Sequence, residues 1–493
     1  MLKRDFLEKP FDYMNDILLF LYNNQGHATK NELVSEFQIS LPTLNEYLSF
    51  LQSFLEENQV NKQVEITLNG ENISLKKEPT FPLKKVVVLF LEKSIKFQMV
   101  NQLFSKGELT CDYFQLNYAI SSATYYRKIT ELNDLLKEFR LQIKRGKLIG
   151  EEKQIRYFFF CFFWFLFEDK TSLEKETANQ YLGFVDILKE SLNLVFDPTE
   201  VLQIKLWMKI SFRRLTTEYN PVISPNYDYP DRPLFEEINL ALHTYMKKID
   251  RPYTIYEAYM FYDFFCSMNN FSPNSAFAFR LAEKQRRESS YLNYMNKVIL
   301  KYLKQQGYLS SYASSARLLY IENLLFQLHS QLYYFDGFIL AFDNWTVKSI
   351  VNAHRHPFSG NEVFELMDIA TKKFDQDGEK GSYKNKFTEI HYTIILNHIA
   401  ELNEEKIAIG VYHSLNPFIG ELVIQHLTNV LGHKYPIKAE AFKEDSHYDI
   451  LLSNIYSETI SEKQELVYIF SDIGNSYDMT EIEKLIIQLI DTR

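Results

Sequence analysis

The chain has 493 residues and a mass of 58.5 kDa, too long for one hydrophobic core, since cores stop growing near ~250–300 residues; roughly three to five domains are predicted. Its 15 Gly and 14 Pro are few and its 40 Phe and 33 Tyr are many, which excludes collagen-like, low-complexity and turn-dense all-β chains and predicts a mainly helical protein. A net charge of −10 speaks, taken as a sum, against a nucleic-acid partner.

From Pro10 to Glu56 three short helices are predicted, because Ile17, Leu18 and Leu21, then Leu33, Val34 and Phe37, then Leu44, Leu48 and Leu51 each mark one face of a 3.6-residue period. Thr29 with Glu32 reads as a capping box on the second helix, and Ser40 starts the third. Two alternating runs, Val64–Leu68 and Glu71–Leu75, flank Asn69-Gly70 and predict a hairpin. Helices, a turn, a third helix and a hairpin make the order of a winged helix-turn-helix. That order returns about eighty residues later. Leu83–Phe97 and Phe97–Ser105 read as helices, Cys111–Ile120 as a short one, and Ser122–Phe139 as a long one with Ile129, Leu132, Leu135 and Leu136 inward. Leu141–Gly150 alternates around Gly146 as a second wing, and a helix from Glu151 runs into the aromatic stretch ending at Phe167.

From Lys170 to about Arg280 and from Leu281 to about Leu402 the pattern is helix after helix, interrupted by polar linkers at Tyr219–Pro233, Asn269–Ser275 and Lys373–Lys384. Two all-helical bundles are predicted. Beyond Glu401 the chain alternates: strand Lys406–His413, helix Pro417–Leu431, strands Tyr435–Phe442, Tyr448–Ile455 and Glu465–Phe470, and helix Met479–Ile490. This predicts a small α/β domain with a mainly parallel sheet. The expected domains are 1–78, 79–165, 166–280, 281–402 and 403–493.

Splitting the charge reverses the first inference. Residues 1–156 carry 21 basic and 20 acidic residues, whereas residues 157–493 carry 33 and 44. Within Ser121–Arg156 the count is nine basic to five acidic, and within Glu401–Arg493 it is seven to sixteen. Subtracting the inward residues of the long helix leaves Ser121, Ser122, Thr124, Tyr125, Arg127 and Lys128 together at its N-terminal end, the end that a recognition helix inserts in the major groove. Arg127 can fork onto a guanine, the hydroxyls can meet phosphates or base edges, and Lys144, Arg145 and Lys147 of the wing can neutralise the flanking backbone. In the first copy the matching face, Ser40, Thr43, Asn45 and Tyr47 beside Pro42 and Glu46, is electrostatically weaker and is expected to assist, dimerise or read shape.

Other chemistry is thin. Cys111, Cys161 and Cys266 are widely spaced, two of them inside aromatic runs, and read as buried inert thiols. His354 with His356 and His391 with His398 lack partners at ligand spacing, so no metal and no cofactor is expected. The longest apolar run, Tyr157–Phe167, has eleven residues, short of the ~18–20 of a membrane span, and the N-terminal MLKRDFLEKPFDYM has no export pattern. A cytoplasmic, non-membrane protein is expected. His329 sits on an otherwise apolar helix, as a core histidine would.

The segment Tyr118-Ala-Ile-Ser-Ser-Ala-Thr-Tyr-Tyr-Arg-Lys-Ile129, continued by Lys147-Leu-Ile-Gly-Glu-Glu-Lys-Gln-Ile-Arg156, is similar to the second helix-turn-helix and wing of the Mga/AtxA group of bacterial transcriptional and virulence regulators. The order of domains resembles that group over essentially the full length. The resemblance implies that the helical pair are PTS-regulation domains, related to those of the BglG-type antiterminators, and that the last module resembles an EIIB domain of the phosphotransferase system. It further implies a DNA-binding homodimer, tuned by phosphocarrier proteins of that system through histidine phosphorylation. His329, in Leu-His-Ser-Gln-Leu-Tyr-Tyr-Phe-Asp-Gly337, falls where the second regulation domain of the family carries its phosphorylatable histidine. In the first, Lys209 stands at the acceptor position, with His243 a poor second choice. An active EIIB needs a cysteine after its first strand; here His413 and Ser414 occupy that loop, so the module is expected to be non-catalytic and the chain not an enzyme. The rival readings are an RNA-binding antiterminator, which would open with a small β-rich module, and a phosphotransferase component, which would need the missing cysteine or a Gly-rich phosphate loop.

Overall fold

The computed structural model describes residues 3–166, 181–215, 232–267, 278–280, 283, 286, 291–307, 309, 315–339, 363, 365–366, 386–403, 406–414, 417–432, 434–456, 466–471 and 475–492. His354 and His356, and almost all of the three polar linkers, lie outside the described residues. The protein is mostly helical, with a small parallel sheet near its C-terminus. It divides into two compact units, one built from most of the residues up to Leu396 and one built mainly from Asn397 onward.

The first unit opens with a 3₁₀ turn and then α1 (Phe11–Asn23), β1 (His27–Thr29), α2 (Lys30–Phe37), α3 (Leu41–Glu57), β2 (Val64–Asn69) and β3 (Asn72–Lys77). The three strands form one antiparallel sheet in the order β1-β3-β2. The capping box at Thr29 and Glu32 is present: Glu32 N–H donates to Thr29 Oγ1 at 3.2 Å and Thr29 N–H donates to the Glu32 carboxylate at 2.6 Å. Leu33, Leu44, Leu48 and Leu51 are fully buried, so the 3.6-residue stripe is the core face that the sequence predicts.

The second copy comprises α4 (Lys84–Lys93), α5 (Ile95–Lys106), α6 (Cys111–Tyr118), α7 (Ser122–Leu136) with a 3₁₀ turn to Phe139, β4 (Gln142–Lys144) and β5 (Lys147–Ile149). The sequence reads Leu83–Phe97 as one helix, but Ser94 interrupts it. Its extended backbone and hydroxyl cap α5, accepting from Phe97 N–H at 3.4 Å, while the same hydroxyl donates to the Phe6 carbonyl. The eleven-residue apolar run lies in α8 (Glu152–Cys161) and the π-turn after it. Its rings pack on α5, with Phe97 on Phe162 at 5.1 Å and Phe104 on Phe163 at 4.7 Å.

Helices α9 (Leu182–Leu192), α10 (Pro198–Leu215), α11 (Arg232–Lys248), α12 (Ile255–Ser267), α13 (Tyr291–Gln305), α14 (Ser315–Tyr334) and α15 (Lys386–Asn403) follow. Among the described residues none of the helices is long and apolar enough to cross a membrane.

The second unit contains β6 (Ile407–Tyr412), α16 (Pro417–Val430), β7 (Ile437–Ala441), β8 (Ile450–Ser453), β9 (Val467–Ile469) and α17 (Ser476–Thr492). The sheet order is β7-β6-β8-β9 with every pairing parallel. Ile407, Ile409 and Val411 share a core with Val423 and Leu427 of α16 and with Ile482 and Ile486 of α17, so both helices cover the same sheet face. Gly410 faces the other way, where a Cβ would come within 2.7 Å of the Tyr448 ring.

Candidate nucleic-acid interface

Through the turn and the helix after it the two copies align with an offset of 81 residues, and the capping hydrogen bonds repeat at that offset. Ser40 and Ser121 are the N-caps of α3 and α7. Each hydroxyl accepts from the backbone N–H three residues on, Thr43 at 3.3 Å and Thr124 at 3.1 Å. Each also shares a hydrogen bond with that threonine's hydroxyl, at 2.7 Å and 3.0 Å. The residues before the turn, Gln38 and Ala119, both take left-handed backbone. On the far side, Gln52 donates to the Ile66 carbonyl at 2.8 Å. At the matching position Asn133 donates to the Ile143 carbonyl at 3.1 Å and accepts from Ile143 N–H at 2.5 Å. One amide side chain therefore ties each wing to its recognition helix, a contact that periodicity alone does not reveal.

On α7 the exposed side chains at the N-terminal end are Ser121, Ser122, Ala123, Tyr126 and Arg127, while Thr124 is half-buried. Tyr125 departs from expectation. It is 4% exposed, its ring is 5.8 Å from Phe114, and burial pushes its hydroxyl up to about 12. The reason is register: Tyr125 precedes Ile129 by four and Leu132 by seven, which puts it on the core stripe, where the first copy has Leu44. The outward aromatic is its neighbour Tyr126, 62% exposed, which the sequence reading leaves out. Lys128 also departs from the expected surface role. Its side chain is 12% exposed and pairs with Glu8 at 3.2 Å and Glu131 at 2.8 Å.

The wing carries its cations on the surface. Lys144, Arg145 and Lys147 are exposed, while Ile143 and Leu148 point into the core. Arg145 and Gly146 both have positive φ, 51° and 75°, the two-residue turn whose twist suits a hairpin. Glycine is required at 146 for a second reason: a Cβ there would lie 2.3 Å from the Leu109 carbonyl oxygen, and Gly146 O accepts from Leu109 N–H at 2.8 Å. Lys144 and Lys147 stand directly opposite each other in the hairpin, a like-charge pair that an anion would relieve.

In the first copy Ser40 and Asn45 are exposed, and Thr43 and Tyr47 half-buried. Tyr47 stacks on Tyr13 of α1 with centroids 5.3 Å apart.

Not all the basic density of Ser121–Arg156 reaches the surface. Arg156 is fully buried, donating to Glu152 at 3.0 Å and, with two nitrogens, to Glu257 at 2.6 and 2.9 Å. Arg214 joins Glu152 at 2.7 Å, and Lys153 pairs with the buried Asp263 at 3.0 Å. Arg140 pairs with Asp336 at 3.2 Å. These groups hold α8 and the wing to the helices behind them. Outward cations are Arg127, Lys137 and the three of the wing, but Lys137 lies at the far end of α7 and pairs with Asp134 at 2.7 Å; Arg127 makes a 3.7 Å exposed contact to Glu131, which is worth little.

His329 is 0% exposed. Its Nδ1 lies 2.6 Å from Asn296 Oδ1 and its Nε2 2.9 Å from the Tyr392 hydroxyl. Asn296 Nδ2 donates to the Glu322 carbonyl, so its oxygen faces the histidine and Nδ1 carries the proton, leaving Nε2 to accept from Tyr392. Burial pushes the ring down to about 3. The imidazole is neutral, and in this arrangement neither nitrogen is open to a phosphocarrier. Lys209 is half-buried on α10, His243 is exposed against Tyr253, and His413 is buried near Phe470. Among the described residues no group of histidine, cysteine and carboxylate side chains is placed to hold a metal.

Among curated proteins nothing matches the chain. Residues 79–163, which run from the segment before α4 to the π-turn after α8, match the Mga helix-turn-helix domain. The chain carries a helix-turn-helix domain of the Mga type over those residues, a match that supports the Mga/AtxA group of regulators.

Proposed function

We propose that the protein is a cytoplasmic, DNA-binding transcriptional regulator, not an enzyme, that acts as a homodimer. The observation that carries this reading is the coincidence, within the Mga-type helix-turn-helix domain, of an exposed Tyr126-Arg127 face on α7 with the outward Lys144, Arg145 and Lys147 of the wing. A helix in the major groove flanked by a basic wing supplies base readout and phosphate neutralisation from one element. The proposed layout is two winged helices at 1–78 and 79–165, two helical regulation domains of the PTS type at 166–280 and 281–402, and an EIIB-like module at 403–493.

Regulation through His329, with phosphocarrier proteins as partners, belongs to this proposal as a two-state switch. A phosphoryl donor reaches Nε2 only after Tyr392 has moved away, so modification would capture an opened state of the bundle rather than decorate the closed one.

The test is an electrophoretic comparison of a randomised duplex DNA pool with a hairpin RNA pool at moderate salt. Retention and enrichment of duplex DNA, lost on replacing Lys144, Arg145 and Lys147 together with Gln, supports the reading. Retention of RNA alone would replace it with an antiterminator.

A further inference from the structure

The residues before α1 belong structurally to both helix-turn-helix copies. Phe6 packs on Phe162 at 5.5 Å, and its carbonyl accepts from Ser94. The Glu8 carboxylate accepts from Ile95 N–H at 3.1 Å and Lys96 N–H at 3.4 Å, at the start of α5, and pairs with Lys128 of α7. Phe90 of the second copy touches Phe11 and Phe54 of the first at 5.5 and 5.0 Å. These contacts are buried or half-buried and come from both sides of the junction, so the two copies form one body rather than two beads on a linker.

Between them runs a polar groove of about 460 Å³, with Glu8, Lys9 and Asp12 on one side and Thr124, Arg127 and Lys128 on the other. Two of its acidic groups are paired. Glu8 is held as described and Glu131 takes Lys128, while Asp12 accepts from the adjacent Tyr13 N–H at 2.8 Å and keeps its charge in the groove. Lys9 differs: it is exposed, lies 5.3 Å over the Tyr13 ring, and makes no ion pair among the described residues. Tyr13 in turn stacks on Tyr47 of α3. Lys9 therefore sits between the two recognition helices, beside Tyr47 of one and across the groove from Thr124 and Arg127 of the other.

We propose that this groove seats a stretch of phosphate backbone and that Lys9 is a phosphate contact, fixed between the two readers so that both address one duplex. The inference rests on the DNA-binding reading and deepens it. An ammonium held by a ring face and committed to no ion pair is available to a phosphate. It carries no sequence information, so its removal weakens all duplexes alike.

The test uses the full-length protein and a duplex enriched from a randomised pool by the wild type, with affinity measured by fluorescence anisotropy across a salt series. For Lys9→Gln the slope of log affinity against log salt should fall by about one, with a several-fold loss of affinity at moderate salt that is the same for enriched and scrambled duplexes. Lys9→Arg should restore both. Lys144→Gln in the wing serves as the comparison. An unchanged slope in Lys9→Gln beside a flattened one in Lys144→Gln overturns the groove while leaving the DNA reading intact. Failure of the wild type to bind any duplex overturns both.

Discussion

The Tyr157 ring stacks on Phe335 with centroids 4.2 Å apart and planes 15° from parallel, and Tyr157 Oη accepts from Gln331 Nε2 at 2.7 Å. Tyr157 belongs to α8, which leaves the wing; Phe335 directly follows α14, the helix of His329. The contact continues in Gln154, which donates to the Asp336 carbonyl at 2.9 Å and accepts from Asp336 N–H at 3.2 Å. Gly337 closes it. With φ of +79°, it lies against Phe139 at the end of the recognition helix, where a Cβ would come within 2.7 Å of the ring. A displacement of α14 thus has a packed route to α7 and the wing. Gly337→Ala is expected to lower stability by ~1–3 kcal/mol in urea unfolding, and also to weaken duplex binding under conditions where the variant is still folded. Normal affinity in the folded variant would disconnect this contact from DNA recognition.

Arg156 makes a second, electrostatic tie. With no exposed surface and two carboxylates in contact, its removal leaves Glu152 and Glu257 buried with reduced compensation. Arg156→Ala should cost ~3–5 kcal/mol in urea unfolding, whereas Arg145→Ala on the exposed wing tip should stay within about 0.5 kcal/mol. Equal costs would mean that the network is not a structural element.

Most element boundaries were legible because their signals are local. The Asn69-Gly70 hairpin, the Thr29 capping box and the alternation of β6 to β9 each depend on residues within one turn or one strand. What sequence misplaced depends on distant partners or on a polar atom within an apolar residue. Lys153 and Arg156 count toward the basic density of Ser121–Arg156, but Asp263 and Glu257, which neutralise them, lie more than a hundred residues on. Lys128 reads as part of the DNA-facing surface because Glu8, its partner, lies 120 residues earlier. Tyr125 reads as outward for its hydroxyl, although the repeat itself, aligned at Ser40 and Ser121, sets it against the buried Leu44.

That alignment yields a paired experiment on adjacent tyrosines. Tyr125→Ala empties a core position and should destabilise by several kcal/mol, roughly 3–5 as for a large aromatic. Tyr126→Ala removes an exposed ring and should leave stability within about 0.5 kcal/mol while changing which duplexes are enriched from a random pool. The opposite assignment of the two effects in thermal unfolding and selection would reverse the register of α7.

His329 supplies a prediction in pH. Its folded value of about 3 lies below the ordinary 6.5, so between those limits the unfolded chain binds a proton that the folded one excludes. Stability is then independent of this group above pH 6.5 and falls as pH drops from there toward 3, by up to about 1.4 kcal/mol per pH unit. His329→Gln keeps a side chain able to bond Asn296 and Tyr392 but cannot titrate. From pH 7 to pH 5.5, wild type should lose about 1 kcal/mol more than the variant in urea unfolding, with the other histidines cancelling in the difference. Identical pH dependence in the two proteins would mean that the ring binds its proton as readily in the folded state as in the unfolded one, and that burial does not hold it neutral.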